Sequence, residues 1–474
     1  MSSIALNPAL VSRFTAHDED WKAICLRVAE LVRGDTHLAA RMLQSGKVVP
    51  AGQILRGAGN SDAVLFNSYI IGSTPSDTPY TLARRISAWT ELGIGVGTNI
   101  SDLSMRSDYS VGQISHIVGH SQQEIWDKGL RRTATMLSVD LSDEGVQKIA
   151  SELSRFTHLR HLNLSVMLHD EILEKAFSDH NSTQYCQLKG LLEVALSTGN
   201  PGFVFASRVN REARRTPPVN ACNACAELHL RPDEGAPLCS LNLPYFVKNG
   251  EFDFDEYEVA IDVAVRLLDA AIDVSAYPSP RAGELARSQR SIGLGVMGLD
   301  TALQRLGVRY DSEAGVSISL ALAERLRDGA ERASQRLAST LGPCTSLDGR
   351  PIDRRNSLLL AIAPTGGISS FWGVSSGIEP TIGRRVSKET ITIDVETSDE
   401  ARPQSHEIHW RWHLDHLAAW QRHVDGGISK TVTLPTTTTL EEAEEILVQA
   451  WMLDVKSLSI FRIGSRPGGA TPNG

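Results

Sequence analysis

Hydrophobic residues recur at helical spacing in the first part of the chain and again near its end. Apolar positions three and four residues apart in WKAICLRVAELV and HLAARMLQ predict helices within residues 18–46. The same spacing in YEVAIDVAVRLLDAAIDV predicts a helix over 257–274, which should end before the sequence YPSP. LEEAEEILVQAWML predicts a further helix over 440–453, where Thr439 precedes Glu442 in the order of a capping box.

Short apolar runs lie between these helical segments. AVLFNSYIIG has the length and composition of a buried strand, and SLSIF over 457–461 predicts another strand near the end of the chain. We find no internal repeat and no long low-complexity linker. Helices that alternate with short apolar strands indicate an α/β fold with catalytic loops at the strand ends.

Composition narrows the class of protein. The chain has 474 residues, of which 41% are hydrophobic and 22% charged, as expected for a soluble globular enzyme of one to three domains. A net charge of -9 argues against broad binding to a nucleic acid polymer or to a membrane surface. The absence of an apolar run of eighteen residues, and of a basic, apolar leader in MSSIALNPALVSRF, argues against membrane insertion and secretion. Six cysteines in so long a chain favour a reducing, cytoplasmic setting.

The segment NACNACAELHL, residues 220–230, holds two cysteines three positions apart. A zinc site would need a second ligand pair, but Cys239 and Cys344 are isolated and no pair of histidines accompanies them. A thioredoxin-like redox pair should begin a helix in a small domain, which this context does not match. Two buried structural cysteines and one reactive sulfur both remain possible from the local sequence alone.

A second segment, IAPTGGISSFWGVSSGIEP over 362–380, is rich in glycine and hydroxyl side chains. Gly366 and Gly367 would let backbone amides approach an anion closely, and Thr365, Ser369 and Ser370 would add hydroxyls. Such segments are also ordinary turns. The glycine-rich ELGIGVGTNIS lacks the spacing of a dinucleotide-binding or P-loop motif.

Several segments taken together resemble the catalytic subunit of ribonucleotide reductases, and most closely the adenosylcobalamin-dependent class. The resemblance covers roughly residues 45–466. The segments that carry it are GNPGFVFASRVN (199–210), Asn-x-Cys-x-Glu (223–227), RSIGLGVMGLDTALQRLG (290–307), APTGGIS with VSSGIEP, and SKTVTLP (429–435) followed by IFRIGSR (460–466).

The resemblance implies a fold and a division of the chain. The expected fold is a ten-stranded α/β barrel of two antiparallel five-stranded halves, with a finger loop at its centre. A short helical segment over 1–60, without the family's ATP-binding cone, would precede the barrel over 61–466, and a flexible tail would follow over 467–474.

The resemblance also assigns catalytic roles within 223–227. Cys225 would become a thiyl radical that abstracts the C3′ hydrogen of a ribose, Glu227 would take the 3′-hydroxyl proton, and Asn223 would orient the ribose hydroxyls. A spacing of two in an extended segment would point these side chains to one side. The PTGGIS loop would hold the substrate phosphates. The substrate-binding residues implied are Ser68, Asn163, Ser165, Pro364, Thr365, Gly366, Gly367, Ile368 and Ser369.

The radical source follows by elimination among the family's classes. A class that receives its radical from a second subunit has a tyrosine pair where this chain has Phe461, and the glycyl-radical class has an Arg-x-x-Gly-Tyr tail that SRPGGATPNG lacks. Adenosylcobalamin is the cofactor that remains, and no metal site is predicted. The absence of the mutase motif Asp-x-His-x-x-Gly is compatible, because this reductase class is not known for it.

The chain departs from the family at the two cysteines that normally deliver electrons. Ser68 stands where an SNCFV-like strand has the first cysteine, and Ala236 aligns with the second. A serine O–H bond is far stronger than S–H, and serine cannot form a disulfide. The C-terminal cysteine pair is also missing, since Cys344 is the last cysteine. Cys222 and Cys239 are the possible redox substitutes.

Three hypotheses follow. The first is a radical enzyme that keeps 3′-hydrogen abstraction on a nucleotide but acts by a route other than standard dithiol reduction. The second is a divergent reductase that makes 2′-deoxynucleotides, and the third is a non-catalytic nucleotide-binding paralogue. A nucleotide effector could meet Asp77, Arg131 and Arg132, although a solvated arginine pair explains the latter two as well. Family relatives lead us to expect a monomer or a homodimer.

Overall fold

The computed structural model describes residues 11, 14, 19–128, 133–143, 145–212, 218–345, 353–381 and 403–465. The chain divides into two compact units. The first unit consists of Met1–Asn67 with Ala236–Gly426, and the second of Ser68–Gly235 with Gly427–Gly474. The domain bounds predicted from the sequence, 1–60, 61–466 and 467–474, stay predictions, and the last of these segments lies outside the described residues.

Strands occur in both units. Twelve are found in the described residues: β1 (Val48–Pro50), β2 (Ser68–Ile70), β3 (Gly95–Asn99), β4 (Thr135–Asp140), β5 (Leu162–Leu168), β6 (Gly202–Phe205), β7 (Leu238–Asn242), β8 (Val247–Lys248), β9 (Glu251–Phe252), β10 (Gly293–Met297), β11 (Thr431–Leu434) and β12 (Ser457–Arg462).

Helices account for most of the remaining described residues. Those of the first unit are Trp21–Ala29, Thr36–Gln44, Gly52–Gly57, Phe254–Val274, Pro280–Gln289, Leu299–Arg305, Glu313–Leu341, Gly366–Trp372 and Trp410–Gln421, with a 3₁₀ helix at Leu243–Phe246. Those of the second unit are Pro79–Glu91, Ser101–Met105, Val111–Asp127, Val146–Glu152, Asp170–Ser178, Thr183–Thr198, Ala206–Glu212 and Leu440–Met452, with a 3₁₀ helix at Thr157–Leu159.

The helices predicted in the first unit are confirmed. Residues 18–46 form the two helices Trp21–Ala29 and Thr36–Gln44. The helix predicted over 257–274 starts earlier, at Phe254, because the Asp253 carboxylate accepts the Glu256 amide as an N-cap. Most of this helix is buried, so it forms much of the core of the first unit.

The elements predicted near the end of the chain are also confirmed. The helix runs over Leu440–Met452, and the Thr439 hydroxyl accepts the amide of Glu442, which is one half of the predicted capping box. The strand predicted over 457–461 is β12.

A seven-stranded sheet organises the second unit. Its order is β11-β12-β6-β5-β4-β3-β2. The strands β2 to β6 are neighbours in chain order and all parallel, as helical crossovers between them require. The strand β12 is antiparallel to β6 and parallel to β11.

A three-stranded sheet lies in the first unit, in the order β1-β7-β10. The central strand β7 is antiparallel to β1 and parallel to β10. A parallel bridge between Leu294 and Leu360 adds a third segment that runs in the direction of β7 and β10. The carboxyl ends of these three parallel segments therefore share one edge.

The α/β class is thus confirmed, whereas the ten-stranded barrel of two five-stranded halves stays a prediction. The hydrogen-bonded strands of the described residues form sheets of seven, three and two strands, the last being the hairpin of β8 and β9. No helix in the described part of the chain is both long and apolar enough to cross a bilayer.

Candidate active site

The segment that carries Cys225 is a tight hairpin over residues 222–229, which we call the finger hairpin. An antiparallel bridge joins Cys222 to His229, and the Asn223 amide donates to the Leu228 carbonyl over 2.9 Å. The Ala226 amide donates to the Asn223 carbonyl over 3.0 Å, and Ala226 has a φ of 60°. The expectation of an extended segment is therefore wrong, because a turn at 223–226 places Cys225 at the tip.

Glycines of β3 let the finger hairpin approach the sheet. A Cβ added at Gly97 would lie 1.9 Å from the Cys222 carbonyl oxygen, so no other residue fits there without a shift of backbone. A Cβ at Gly95 would lie 3.3 Å from that of Ala224. The glycine-rich ELGIGVGTNIS, which matched no nucleotide-binding motif, serves this close approach.

Polar side chains of the sheet meet the finger hairpin from neighbouring strands. The Asn223 amide nitrogen donates to the Ser68 hydroxyl of β2 over 2.7 Å. The Asn163 amide of β5 donates to the Ala224 carbonyl over 3.3 Å, while the Ser165 hydroxyl donates to a neighbouring methionine sulfur. The structure therefore brings Ser68 and Asn163 together at the hairpin, and Ser165 lies on the same face of β5 as Asn163.

Asn223 is tied into the protein at both ends of its side chain. It is 1% exposed, and besides its bond to Ser68 its carbonyl oxygen accepts the Leu228 amide over 3.0 Å. These bonds hold the turn of the hairpin, as asparagine side chains often do in turns. The role of Asn223 in orienting ribose hydroxyls stays a prediction, while its role in building the hairpin is visible in the structure.

The two cysteines of the hairpin have different surroundings. Cys225 at the tip is half-buried, whereas Cys222 is fully buried in an apolar cluster. Burial raises the pKa of the Cys222 thiol to about 11. Burial and the nearby Glu227 carboxylate raise the pKa of Cys225 well above its ordinary value. Both sulfurs therefore carry a proton at neutral pH. The apolar neighbours of Cys222 are Met136, Met167, Val204, Ala206, Val209 and Val219.

Glu227 is a buried carboxyl, 2% exposed, in the arm of the hairpin after the turn. Burial raises its pKa to about 7, against the smaller opposing effect of the Asn223 amide. Its Oε2 atom has no hydrogen-bond partner in the described part of the protein. The side chain can thus hold or release a proton near neutral pH, which suits a general base.

His229 was missed by the sequence reasoning, although it stands in the quoted segment two residues after Glu227. It is 7% exposed, and neither ring nitrogen has a partner among the described residues. A Cβ at Gly427 would lie 2.5 Å from the imidazole, so the ring is closely covered. Burial and the charge of Lys456 lower its pKa to about 3, which keeps the imidazole neutral.

The predicted phosphate loop lies in the first unit, at the start of the helix Gly366–Trp372. Thr365 caps this helix with a φ of 58°, and its hydroxyl accepts the Gly377 amide over 2.9 Å. The Ser369 hydroxyl lies 3.0 Å from that of Ser376. These two hydroxyls are engaged within the protein, whereas Gly367 is exposed with free space beside its Cα.

Aromatic side chains hold the other end of this short helix. Phe371 packs edge-on against Phe14, and Trp372 against Trp21 and Tyr245, all with ring centroids 5.4 to 5.5 Å apart. The position of the loop is therefore set by the core of the first unit.

Two further groups of predicted residues have local roles. Cys239 is buried in the central strand β7, paired with Pro50 and Leu294, and burial raises its pKa. The Asp77 carboxylate accepts hydrogen bonds from the Thr74 amide and from Arg85, each over 2.7 Å. These bonds outweigh the effect of burial and lower the pKa of Asp77. Arg131 and Arg132 lie outside the described residues.

Metal-ligating side chains do not cluster in the described residues. No group of three or more histidine, cysteine, aspartate or glutamate side chains there could hold a metal ion.

Comparison with known proteins identifies the family. Residues 187–355 and 400–461 match the model described as "Ribonucleotide reductase, barrel domain". A vitamin B12-dependent ribonucleoside-diphosphate reductase of Mycobacterium tuberculosis is 34% identical over 72% of this chain and 58% of its own length. The Thermoplasma acidophilum protein of the same name is 26% identical over 90% of this chain and 65% of its own length.

A solved structure agrees in fold. The class Id ribonucleotide reductase alpha subunit of Actinobacillus ureae superposes with a TM-score of 0.81 at 19% identity, covering 97% of each chain. The chain belongs to the ribonucleotide reductase family, as a relative of its catalytic subunits, and the predicted resemblance is confirmed. The chain spans 56% to 65% of the length of the three B12-dependent ribonucleoside-diphosphate reductases of M. tuberculosis and T. acidophilum that it matches.

Proposed function

We propose that this chain is an adenosylcobalamin-dependent thiyl-radical enzyme that abstracts the C3′ hydrogen from the ribose of a nucleotide, by a route other than standard dithiol reduction. One observation carries the proposal. A protonated, half-buried Cys225 lies at the tip of the finger hairpin near the buried Glu227, while a serine, Ser68, bonds the base of the same hairpin.

The names of the relatives support the cofactor, since those of M. tuberculosis and T. acidophilum are called vitamin B12-dependent. The chemistry that adenosylcobalamin supplies when bound is homolysis of its cobalt–carbon bond. The group that loses a hydrogen atom to this chemistry must be an S–H group that a large cofactor can approach. Cys225 fits, because it is half-buried and its raised pKa keeps the thiol protonated, whereas Cys222 is enclosed.

The chain's own residues would then act on the ribose. The Cys225 thiyl radical takes the C3′ hydrogen atom, which restores the S–H bond and leaves a carbon radical on the sugar. Glu227, as a carboxylate, takes the proton of the 3′-hydroxyl, so that the resulting ketyl radical can expel the 2′ group. A pKa of about 7 leaves a sizeable fraction of Glu227 ionised at neutral pH.

Electron delivery is where this chain should differ from a standard reductase. The resemblance places a reducing cysteine at Ser68, and a hydroxyl can neither return a hydrogen atom to C2′ nor form a disulfide. Its oxygen instead accepts the Asn223 amide. Cys222 lies in an apolar cluster, which favours a structural role for its sulfur. The reactions that remain are a redox-neutral elimination, an epimerisation, a rearrangement, or a reduction by an external donor.

A divergent reductase that makes 2′-deoxynucleotides is the second candidate. The relatives are named ribonucleoside-diphosphate reductases, which favours this candidate, and Cys239 would be the substitute for the missing pair.

The same names support a ribonucleoside diphosphate as the substrate. The PTGGIS loop would take its phosphates through the first amides of the helix Gly366–Trp372, which have no acceptor within the helix. The ten-stranded barrel belongs to this proposal, supported by the structural likeness.

Product analysis with labelled substrate tests the proposal. The protein is incubated with adenosylcobalamin and each of four ribonucleoside diphosphates carrying deuterium at C3′, with and without a dithiol. Loss of the label without 2′-deoxynucleotide, dependent on Cys225 but not on the exposed Cys186, is the expected result. Dithiol-dependent 2′-deoxynucleotide that disappears in Cys239→Ala would establish the second candidate instead. Recovery of every substrate unchanged, with neither loss of label nor any new product under any condition, would contradict both.

A further inference from the structure

The two residues that lead into the finger hairpin, Val219 and Asn220, have their backbone groups bound by asparagine side chains. The Val219 amide donates to the Asn210 side-chain oxygen over 2.7 Å, and the Asn210 side-chain amide donates back to the Val219 carbonyl over 2.8 Å. The Asn220 carbonyl accepts the side-chain amide of Asn99 over 2.7 Å. Two asparagines therefore hold three backbone groups just before the hairpin starts.

Asn210 binds Val219 in the way that a neighbouring strand would. One partner exchanges both an N–H and a C=O bond with the same residue, as in the hydrogen-bonded pairs of an antiparallel sheet. An asparagine side chain can do this because its donor and its acceptor lie side by side. Its second N–H donates to the Ala206 carbonyl over 2.9 Å, within the helix Ala206–Glu212. The position of Val219 is thus fixed relative to this helix.

Asn99 is fixed in a similar way at the end of β3. It is 5% exposed, and its side-chain oxygen accepts the Ser101 amide over 2.8 Å. The same strand carries Gly97, beside which the Cys222 carbonyl lies. The first arm of the hairpin is therefore attached to β3 at two successive places, Asn220 and Cys222.

Apolar packing alone would not set the position of this arm. Ala206 and Val209 of the helix share an apolar cluster with Val219 and Cys222 of the hairpin. Such contacts hold the two segments together but have no preferred direction, whereas hydrogen bonds of 2.7 to 2.9 Å do. The asparagines therefore decide how far the arm lies along its own axis, and Cys225 at the tip moves with it.

We propose that Asn210 and Asn99 are positioning residues that set the register of the finger hairpin, and with it the place of the Cys225 sulfur. The inference rests on the proposed function for what that sulfur does. A misplacement of about 1 Å by a residue far from the chemistry can cost about 10²-fold in rate. Neither asparagine has to touch the nucleotide to have this effect.

Thiol labelling of the intact protein tests the positioning role without cofactor or nucleotide. The rate at which N-ethylmaleimide modifies Cys225 is measured by peptide mass spectrometry, with the exposed Cys186 as the internal reference and the buried Cys25 as the reporter of global unfolding. Asn210→Ala should raise the rate at Cys225 about tenfold, because lost hydrogen bonds let the half-buried tip open more often. The rates at Cys186 and Cys25 should not change.

Two further variants separate hydrogen bonding from packing. Asn210→Asp keeps the shape of the side chain and the acceptor for the Val219 amide but has no donor for the Val219 carbonyl, so it should behave like Asn210→Ala. Asn99→Ala loses one bond to the hairpin and should show the same change, smaller in size.

The matched control is Asn356→Ala in the first unit. Asn356 is 0% exposed, its amide donates to Asp269 and to the Arg290 carbonyl, each over 3.0 Å, and its carbonyl oxygen accepts the Ser334 hydroxyl over 2.8 Å. This variant should lower the Tm and leave the labelling of Cys225 at the wild-type rate.

Turnover of a ribonucleoside diphosphate with adenosylcobalamin supplies the second readout. The Asn210 variants should lower kcat about 10²-fold with KM unchanged, because a displaced sulfur affects the transition state and not the binding of the substrate. A merely structural role would lower the Tm without this division between kcat and KM.

Wild-type labelling of Cys225 in both Asn210 variants would overturn this inference and leave the proposed function intact. An equal rise in Asn356→Ala would overturn it as well, since the effect would then be general destabilisation. A wild type that turns over no nucleotide would contradict the proposed function, while the labelling rates would still decide whether the asparagines hold the hairpin.

Discussion

Two regions of the molecule treat buried asparagines in opposite ways. In the finger hairpin, Asn223 uses both ends of its side chain to hold the turn that presents Cys225. At the carboxyl edge of β7, Asn242 is fully buried, and neither end of its side chain has a hydrogen-bond partner among the described residues. The first region is therefore arranged before any ligand arrives, as catalytic groups require. The second leaves the polar groups of a buried amide unsatisfied by the residues that the structure describes.

The protonation states of the finger hairpin also suit the proposed chemistry. Burial keeps Cys225 protonated, brings the pKa of Glu227 to about 7, and keeps His229 neutral with a pKa of about 3. A hairpin that carries little charge at neutral pH suits hydrogen-atom transfer, which moves no net charge.

Removing the general base should have the largest effect on the chemistry of the hairpin. Glu227→Gln should lower kcat about 10²- to 10⁴-fold, the usual contribution of a general base. Wild-type activity should rise with pH through about 7, because Glu227 must lose its proton before it can accept one, and the variant should lack this limb. Steady-state pH profiles check this. If the rise of activity with pH persists in Glu227→Gln, the titrating group is not Glu227.

Crowding the approach of the finger hairpin to β3 should have the next largest effect. Gly97→Ala would place a Cβ against the Cys222 carbonyl, and we expect it to lower the free energy of unfolding by about 3 kcal/mol or more, with loss of activity. Gly112→Ala is the control, since the nearest atom to its Cβ is 3.8 Å away and alanine favours the helix Val111–Asp127. Equal stability of the two variants would show that the hairpin can shift away from the sheet.

The pH dependence of stability should report the buried carboxyl. The pKa of Glu227 rises from 4.5 to about 7, so the folded state holds this proton more tightly, and its contribution falls as pH rises through that window. Glu227→Gln should therefore become more stable than the wild type between pH 4.5 and 7.5, by about 3 kcal/mol in total. Denaturant titrations at several pH values measure the difference. A difference that does not change with pH would mean that Glu227 is solvated.

The smallest effect is expected at the base of the hairpin. Ser68→Ala removes the acceptor of the Asn223 amide and should cost about 1 kcal/mol of stability, with Ser68→Cys intermediate. Thermal unfolding of the three proteins checks the order. An unchanged Tm in Ser68→Ala would indicate that Asn223 holds the turn without this bond, and would weaken the contrast with Asn242.

The sequence predicted the helices and strands better than their arrangement. Helical and strand patterns placed the elements of both ends of the chain, because periodicity reflects burial directly. The turn at 223–226 was not foreseen, since it depends on the Asn223 side chain and on a positive φ at Ala226. The spacing of two between Asn223, Cys225 and Glu227 occurs equally in an extended strand, so it does not reveal the turn.

Residues defined by missing contacts were out of reach of sequence reasoning. His229 stands in the quoted segment NACNACAELHL, but only the fold shows that its ring nitrogens, like the side-chain amide of Asn242, are buried without partners among the described residues. Asp77 is the opposite case. It was predicted to meet an effector, yet its carboxylate is occupied by Thr74 and Arg85 at the start of the helix Pro79–Glu91. Contact with an effector stays a prediction.

The most direct test of the central claim is the identity of the radical-bearing sulfur. Freeze-quenched samples with adenosylcobalamin and a ribonucleoside diphosphate would be examined by electron paramagnetic resonance, for the wild type, Cys225→Ala and Cys186→Ala. The account predicts a coupled cobalt(II)–thiyl signal in the wild type and in Cys186→Ala, and none in Cys225→Ala. The same signal in Cys225→Ala, or its absence from the wild type with every nucleotide, would contradict the claim that Cys225 is the hydrogen-abstracting residue.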